Sequence, residues 1–185
     1  MQEFKGPRMD EYKGPNMLNK SRGDLPIAIR EPSEADVSFL FSSWLKSNRK
    51  GTFCNFVDDT IYYNEQHKLV ERLLLTSKVL MAVDPSDAGN ILGYIVYETI
   101  DNIMVIHYAY TKHTYRCMGV FNALFAATGH DRNLGGAHTH SNPLGGRLAM
   151  KFNLIYHPYI LLNYKTKETK APESSYAAEV QKQRA

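Results

Sequence analysis

The chain contains 185 residues, of which 43% are hydrophobic and 22% are charged, and its formal net charge is +3. A chain of this length suits one domain with a full core, and these fractions exclude collagen-like, coiled-coil and wholly disordered proteins. Its lysines and arginines are spread along the chain rather than concentrated in one stripe, so we predict no nucleic-acid partner.

The N-terminal segment contains an imperfect repeat with a period of eight residues. The sequence EFKGPRM at residues 3–9 returns as EYKGPNM at residues 11–17. Each copy has too little apolar surface to fold alone, but two copies suit a peptide that docks twice on a protein partner. A flexible leader with chance similarity is the alternative. We predict an extended N-terminal arm over residues 1–25, one domain over residues 26–163 and a polar C-terminal tail over residues 164–185.

Apolar periodicity predicts alternating strands and helices between these two ends. The predicted strands cover residues 26–30, 79–83, 91–100, 103–110, 135–140 and 154–163. The predicted helices run from the cap Ser33 to about Ser47, over 62–77, from Gly119 to about Gly129, and over 142–152. Three successive antiparallel strands, followed by a strand, a helix and a strand, predict an α/β (α+β) fold with a mixed, mostly antiparallel sheet flanked by helices.

No apolar run approaches the roughly 20 residues that cross a bilayer, and the first residues lack the apolar core of a secretory signal. Cys54 and Cys117 belong to no C-x-x-C or zinc pattern. We therefore predict a cytoplasmic protein with two free thiols and no membrane partner.

The segment from Tyr108 to Phe121 joins a predicted strand to a predicted helix. A turn with Arg116 and Gly119 at the start of the helix presents successive backbone N–H groups to a diphosphate, and the helix dipole adds to this attraction. One glycine at the start of a helix also serves simply as a turn, so the plainer interpretation stays open.

The order of elements and this loop resemble the GNAT superfamily of N-acetyltransferases, whose acetyl-CoA loop reads approximately Val-x-Pro-x-Tyr-Arg-x-x-Gly-Ile-Gly/Ala. Here Tyr115, Arg116, Gly119 and Val120 match that pattern. Downstream, Asn142 stands where family members commonly carry an asparagine at the end of the next strand. The resemblance extends over most of the chain.

The resemblance implies an acyl-CoA cleft where the fourth and fifth strands part, with acetyl-CoA as the cofactor and an unidentified amine as the acceptor. The pantetheine arm would pair with the strand around residues 108–111, and the pyrophosphate would rest on the backbone of residues 116–121. The implied cofactor-binding residues are Tyr110, Thr111, Arg116, Cys117, Met118, Gly119, Val120, Phe121 and Asn142.

The chain departs from the family pattern at four positions. The proline of the loop is His113, its second small residue is Phe121, the helix tyrosine is Ala149, and the closing glycine is Asn153. The ring of Phe121 either blocks the close approach of backbone to phosphate or points into the core. Ala149 leaves no hydroxyl at that position to protonate a departing thiolate.

His107 and Glu98, on neighbouring predicted strands, are the candidates for a general base. An imidazole titrates near neutral pH, and a carboxylate in an apolar cleft has a raised pKa. Tyr156 or Cys117 is the candidate that replaces the missing acid. A hydrogen-bonded core role or a surface role is the plainer interpretation of each residue.

Three histidines, His130, His138 and His140, offer a metal site in principle. No carboxylate or fourth histidine is near them in sequence, and we predict no metal.

We predict a GNAT-type acyltransferase that moves an acetyl or other acyl group from CoA to an amine. The main alternative is a catalytically degraded GNAT-fold structural or accessory subunit of a large assembly such as a phage particle, anchored by its terminal arms. That protein would be a homo-oligomer or part of a larger assembly, in the host cytoplasm or the virion. A third alternative is acyl-CoA sensing without turnover.

Overall fold

The computed structural model describes residues 25–51, 54–140, 145–166 and 175–183. One sheet of six strands runs through the domain, and the order of its strands follows the order of the chain. The strands are β1 (Ala28–Arg30), β2 (Lys78–Asp84), β3 (Asp87–Ile100), β4 (Ile103–Thr111), β5 (Gly136–His138) and β6 (Leu154–Tyr156). The pairs from β1 to β4 are antiparallel, and β5 pairs in parallel with both β4 and β6. The predicted mixed, mostly antiparallel sheet is confirmed.

Within the described ranges, five α-helices cover the two faces of this sheet. They are α1 (Val37–Arg49), α2 (Asp59–Thr76), α3 (Val120–Ala127), α4 (Gly145–Lys151) and α5 (Ser175–Lys182). Residues of α1, α2 and α5 share one apolar cluster with the sheet, and α3 packs on the opposite face with residues of α4 beside it. The sheet is therefore buried on both sides, which explains why its central strands read as nearly continuous apolar runs.

The helices begin where side chains satisfy their first N–H groups. Asp58 Oδ1 accepts hydrogen bonds from the backbone N–H groups of Thr60, at 2.9 Å, and Ile61, at 3.2 Å. This cap starts α2 three residues before the apolar pattern predicts. Ser33 caps a 3-10 turn at Glu34–Asp36 rather than the α-helix itself, which begins directly after that turn.

An ion pair fixes the edge of the sheet to the start of α1. Arg30 donates to both carboxylate oxygens of Asp36, at 2.7 and 2.9 Å, and also to the carbonyl of Ala88. The backbone N–H and the hydroxyl of Ser33 both donate to Asp36 Oδ2. Burial alone raises the pKa of Asp36, but the hydrogen bonds from Arg30 and Ser33 outweigh it, so the pKa is lowered.

A bulge at His107 divides β4 into two parts. Ile106 lies opposite Tyr97 and Tyr108 lies opposite Val96, so His107 is an extra residue without a counterpart on β3. The extra residue reverses the alternation of side chains. Ile106 consequently faces α3, whereas Tyr108 faces α1.

The described residues of the C-terminal segment include a helix that the composition does not predict. The side chain of Val180 in α5 is fully buried, and Tyr176 packs against the same cluster, which includes residues of α1 and α2. The predicted polar tail therefore contributes to the core in this part. The reason is that apolar residues spaced at helical intervals can seal a core even in a segment that is polar on average.

The last predicted strands are shorter than their apolar runs. The structure ends β5 at His138 instead of residue 140. It ends β6 at Tyr156, after which Pro158–Thr166 forms a 3-10 helix. Pro158 has no N–H to donate to a strand ladder, which is consistent with this early end.

Two predictions fall on parts of the chain outside the described residues. They are the N-terminal repeat over residues 3–17 and the first part of the helix predicted from residue 142. In the part that the structure describes, no helix combines the length and apolar character needed to cross a membrane.

Candidate functional site

The sheet opens where β4 and β5 part. β5 pairs with β4 at Val105 and Ile106, and one further hydrogen bond joins the N–H of Thr139 to the carbonyl of Ile106. Beyond the bulge, β4 continues to Thr111 with β3 as its only strand partner among the described residues. The other edge of this part of β4 offers N–H and C=O groups to an extended ligand that contains amides.

A turn with left-handed backbone follows β4. Cys117 has φ of 64° and Gly119 has φ of 83°, and α3 begins at Val120. No residue in the described ranges accepts a hydrogen bond from the N–H of Cys117, Met118 or Gly119. Alternating backbone conformations before a helix collect such N–H groups into an anion-binding nest, and the helix dipole adds positive potential.

The loop residues divide into anchors and exposed groups. Val120 is buried, and the hydroxyl of Tyr115 accepts a hydrogen bond of 3.2 Å from Asn90 Nδ2. Arg116 and Met118 are exposed. Cys117 is also exposed and is a free thiol. A β-carbon added at Gly119 would meet nothing within 4 Å, so the loop faces open space at this position.

Phe121 turns toward α4. Its ring centroid lies 5.0 Å from that of Phe152 and 6.1 Å from that of Phe125. The ring is therefore part of the apolar cluster between α3 and the end of α4. Of the two orientations that the sequence leaves open, the structure has the inward one.

The two candidates for a general base lie in contact with each other. His107 Nε2 is 3.1 Å from Glu98 Oε1, and His107 Nδ1 is 3.2 Å from Thr139 Oγ1. His107 is 1% exposed, Thr139 is 2% exposed and Glu98 is 9% exposed. Since both ring nitrogens of His107 have partners within the protein, this imidazole is a buried hydrogen-bonded group at the root of the opening.

His140 extends this cluster toward the surface. Its Nδ1 lies 3.0 Å from Thr139 Oγ1, and the residue as a whole is intermediate in exposure. Burial, followed by the charge of His107, lowers the pKa of His140 to about 4. In the sequence, His140 is a candidate only as a metal ligand. The available signal was a pair of polar residues, Thr139 and His140, at the end of a short apolar strand.

Aromatic side chains form the wall of the opening beneath α1. Trp44 stacks on Tyr108 with ring centroids 4.5 Å apart, and His140 meets both rings edge-on. The hydroxyl of Tyr108 is 2.6 Å from Ser47 Oγ. Burial raises the pKa of Tyr108 to about 12, so this phenol stays protonated at neutral pH. Tyr110, further along β4, stacks on Tyr94.

The structure does not bring every predicted residue to this cluster. Tyr156 is 52% exposed, and its ring lies 5.3 Å from that of His138. Asn142 lies outside the described residues.

The three histidines considered as metal ligands have separate partners. His130 Nε2 is 2.6 Å from the carbonyl of Gly135, and His138 Nδ1 donates to the carbonyl of His140. Across the described ranges, no group of three or more histidine, cysteine, aspartate or glutamate side chains could hold a metal ion.

A second concave surface lies between α3 and the end of α4. This groove has a volume of about 410 Å³. The cationic groups of Arg132 and Lys151 lie 5.4 and 5.6 Å from the ring centroid of Phe152, which is in the groove lining. Neither cation has a carboxylate partner among the described residues. The groove therefore offers positive charge beside an aromatic ring.

The sequence matches no protein-family model and no curated protein sequence. Solved structures do match. An acetyltransferase of the GNAT family from Staphylococcus aureus is similar at 18% identity and a TM-score of 0.39, over 55% of this chain and 62% of that chain. The chain thus spans less than two thirds of that protein.

Two further solved structures are similar to the chain. The PaiA N-acetyltransferase from Thermoplasma acidophilum, in complex with coenzyme A, has 16% identity and a TM-score of 0.40, over 56% of this chain and 70% of that chain. A possible acetyltransferase from Clostridium difficile 630 has 18% identity and a TM-score of 0.45, over 81% of this chain and 96% of that chain.

Proposed function

We propose that the protein binds an acyl-CoA, with acetyl-CoA as the first probe, and transfers the acyl group to an amine. The observation that carries this proposal is the juxtaposition at the bulge of β4. There, a strand edge that has no strand partner in the described part of the chain begins directly beside the buried pair of Glu98 and His107.

Two parts of an acyl-CoA, the pantetheine arm and the diphosphate, have suitable partners on this surface. The amides of a pantetheine arm match the N–H and C=O groups of the β4 edge at residues 108–111. A diphosphate matches the N–H groups of the loop at residues 116–121, together with the exposed guanidinium of Arg116. Phe121 packs on Phe152, which supports close approach of the phosphates to this backbone.

The chemistry requires an amine to lose a proton as it attacks a thioester. A positioned base near the thioester assists this step. Glu98 and His107 supply a carboxylate and an imidazole at the root of the opening, where surrounding apolar groups exclude water. These contacts identify neither the acid for the departing thiolate nor the acceptor amine.

Isothermal titration with acetyl-CoA and with CoA tests the binding site. In a Gly119→Trp variant the indole enters open space at the loop, so we expect micromolar binding to be lost. The matched control is Gly129→Trp, since Gly129 also has positive φ, 74°, and also faces open space, but lies beyond the other end of α3. Both variants bear a similar strain from a side chain at positive φ, about 1 kcal/mol.

Equal loss of binding in both variants would contradict this location of the site. If the folded wild-type protein binds neither acetyl-CoA nor CoA, the proposal that acetyl-CoA is its cofactor is contradicted. That result would favour the alternative of a catalytically degraded subunit in a large assembly such as a phage particle, held by residues 3–17. Binding without transfer to any amine would favour a sensor of acyl-CoA.

A further inference from the structure

A line of hydrogen-bonding side chains connects β3 to the end of β5. Its three links are Glu98 Oε1 to His107 Nε2 at 3.1 Å, His107 Nδ1 to Thr139 Oγ1 at 3.2 Å, and Thr139 Oγ1 to His140 Nδ1 at 3.0 Å. The first three residues are at most 9% exposed. His140, which directly follows Thr139 at the end of β5, is the least buried member of the line.

The carboxylate at one end fixes the direction of every hydrogen bond in this line. An ionised Glu98 only accepts, so the hydrogen of His107 lies on Nε2 and its Nδ1 becomes an acceptor. Thr139 then donates its hydroxyl hydrogen to Nδ1 of His107. The same Thr139 oxygen accepts from Nδ1 of His140, which leaves the lone pair of a neutral imidazole on Nε2.

The other contacts of these groups agree with this direction. Thr139 Oγ1 also lies 3.4 Å from the carbonyl of His107, a longer contact than its 3.2 Å separation from His107 Nδ1. The ring of His140 also makes a hydrogen bond to the backbone of His107, which opposes the effect of burial on its pKa. Burial holds the pKa of His140 at about 4, so its imidazole is neutral at pH 7.

We propose that Nε2 of His140 takes the proton from the acceptor amine, and that Glu98, His107 and Thr139 are positioning residues that fix its tautomer. This inference rests on the proposed acyltransferase function and names the catalytic base within it. His107 is unsuited to that role itself, because it is 1% exposed and both of its nitrogens are already occupied.

The proton step balances within the reaction. As the bond between the amine nitrogen and the acyl carbon forms, the carbon–sulfur bond breaks and one N–H bond of the amine breaks. That proton forms a bond to Nε2 of His140 and is then returned to the departing thiolate sulfur. The imidazole ends neutral, in the tautomer in which it started.

Long-range proton–nitrogen NMR of the full chain, labelled with 15N-histidine, tests the tautomer at pH 7. We expect His140 to carry its hydrogen on Nδ1, with the resonance assigned by its loss in His140→Gln. Thr139→Val removes the hydroxyl and is expected to abolish this preference, whereas the matched Thr139→Ser keeps the hydroxyl and the tautomer. A hydrogen on Nε2 of His140 in the wild-type protein would overturn the inference.

Thiol release from acetyl-CoA, with propylamine, tyramine and spermidine as acceptors, tests the catalytic role. We expect His140→Ala to lower kcat by on the order of 100-fold without changing the Kd for acetyl-CoA, and added imidazole to restore part of the rate. Thr139→Val should lower kcat more than Thr139→Ser. An unchanged kcat in His140→Ala would overturn the role of this residue.

The two proposals fail in different ways. A wild-type protein that binds no acetyl-CoA, or binds it and releases no thiol with these amines, counts against the proposed function, and the base role falls with it. A wild-type protein that is active, while His140→Ala is equally active or the tautomer is reversed, counts against His140 alone.

Discussion

At the scale of single residues, two glycines in the described part of the chain have opposite surroundings. A β-carbon on Gly136 of β5 would lie 2.6 Å from the carbonyl oxygen of Met104 and 3.1 Å from Leu154 Cδ2. A β-carbon on Gly146 of α4 would meet nothing within 4 Å. Gly136 therefore permits close contact between β4, β5 and β6, whereas Gly146 is replaceable.

We expect Gly136→Ala to reduce the free energy of unfolding by about 1–3 kcal/mol, because backbone atoms must shift to admit the methyl group. Gly146→Ala should raise it by up to about 1 kcal/mol, since alanine loses less conformational freedom in a helix. Urea denaturation measures both. Equal effects of the two substitutions would contradict the close approach at Gly136.

The residues of the candidate site show what sequence can and cannot predict. Glu98 and His107 are identifiable as polar residues in apolar strands. Their contact is not, because it depends on the bulge that makes His107 an extra residue on β4. His140 is missed for a related reason, since its position follows from where β5 ends rather than from any spacing in the sequence.

At the scale of elements, α5 is the least expected part of the fold. Val180 is fully buried against the cluster that also contains Leu40 and Trp44 of α1. The opposite side of the helix is polar, and Lys182 pairs there with Glu179. Helix α5 therefore behaves as an integral layer of the domain.

Val180→Ala removes two buried methyl groups, and we expect it to lower the free energy of unfolding by about 2 kcal/mol. The matched control is Lys182→Ala, which removes one partner of an exposed ion pair and should cost less than about 0.5 kcal/mol. Thermal or urea denaturation gives both values. A cost at Val180 no larger than that at Lys182 would show that α5 does not stabilise the domain in solution.

The elements that contain long apolar runs could be predicted well from the sequence. The bounds of the shorter elements could not. The two long strands β3 and β4 are recognisable because both of their faces are buried over most of their length. The start of α2 is not, because its cap Asp58 lies outside the apolar pattern. The end of β5 depends on where neighbouring strands part, which local sequence does not encode.

At the scale of the whole molecule, stability should depend on pH through two sites. The folded pKa of His140, about 4, lies below its usual value of 6.5, so the folded state resists a proton that the unfolded state binds. The stability from this site is complete above pH 6.5 and is lost as the pH falls to 4. The pKa of Asp36 is lowered from 3.8, so the stability that this carboxylate contributes is lost as the pH falls below 3.8.

We therefore expect the urea midpoint to fall between pH 6.5 and 4, and to fall again in more acidic solution. His140→Gln should flatten the first phase, and Asp36→Asn should flatten the second, although the asparagine variant starts less stable because Arg30 loses its charged partner. A first phase that persists unchanged in His140→Gln would contradict a neutral His140 in the folded state.

The order of the six strands in the sheet repeats their order along the chain. During synthesis on a ribosome, each newly emerged strand therefore meets a partner that has already left the exit tunnel, and the sheet can grow in one direction without waiting for a later segment. Helix α5 is the exception, because it seals the face formed by the earliest helices. A nascent chain would keep that face exposed, and thus available to chaperones, until residue 180 has emerged.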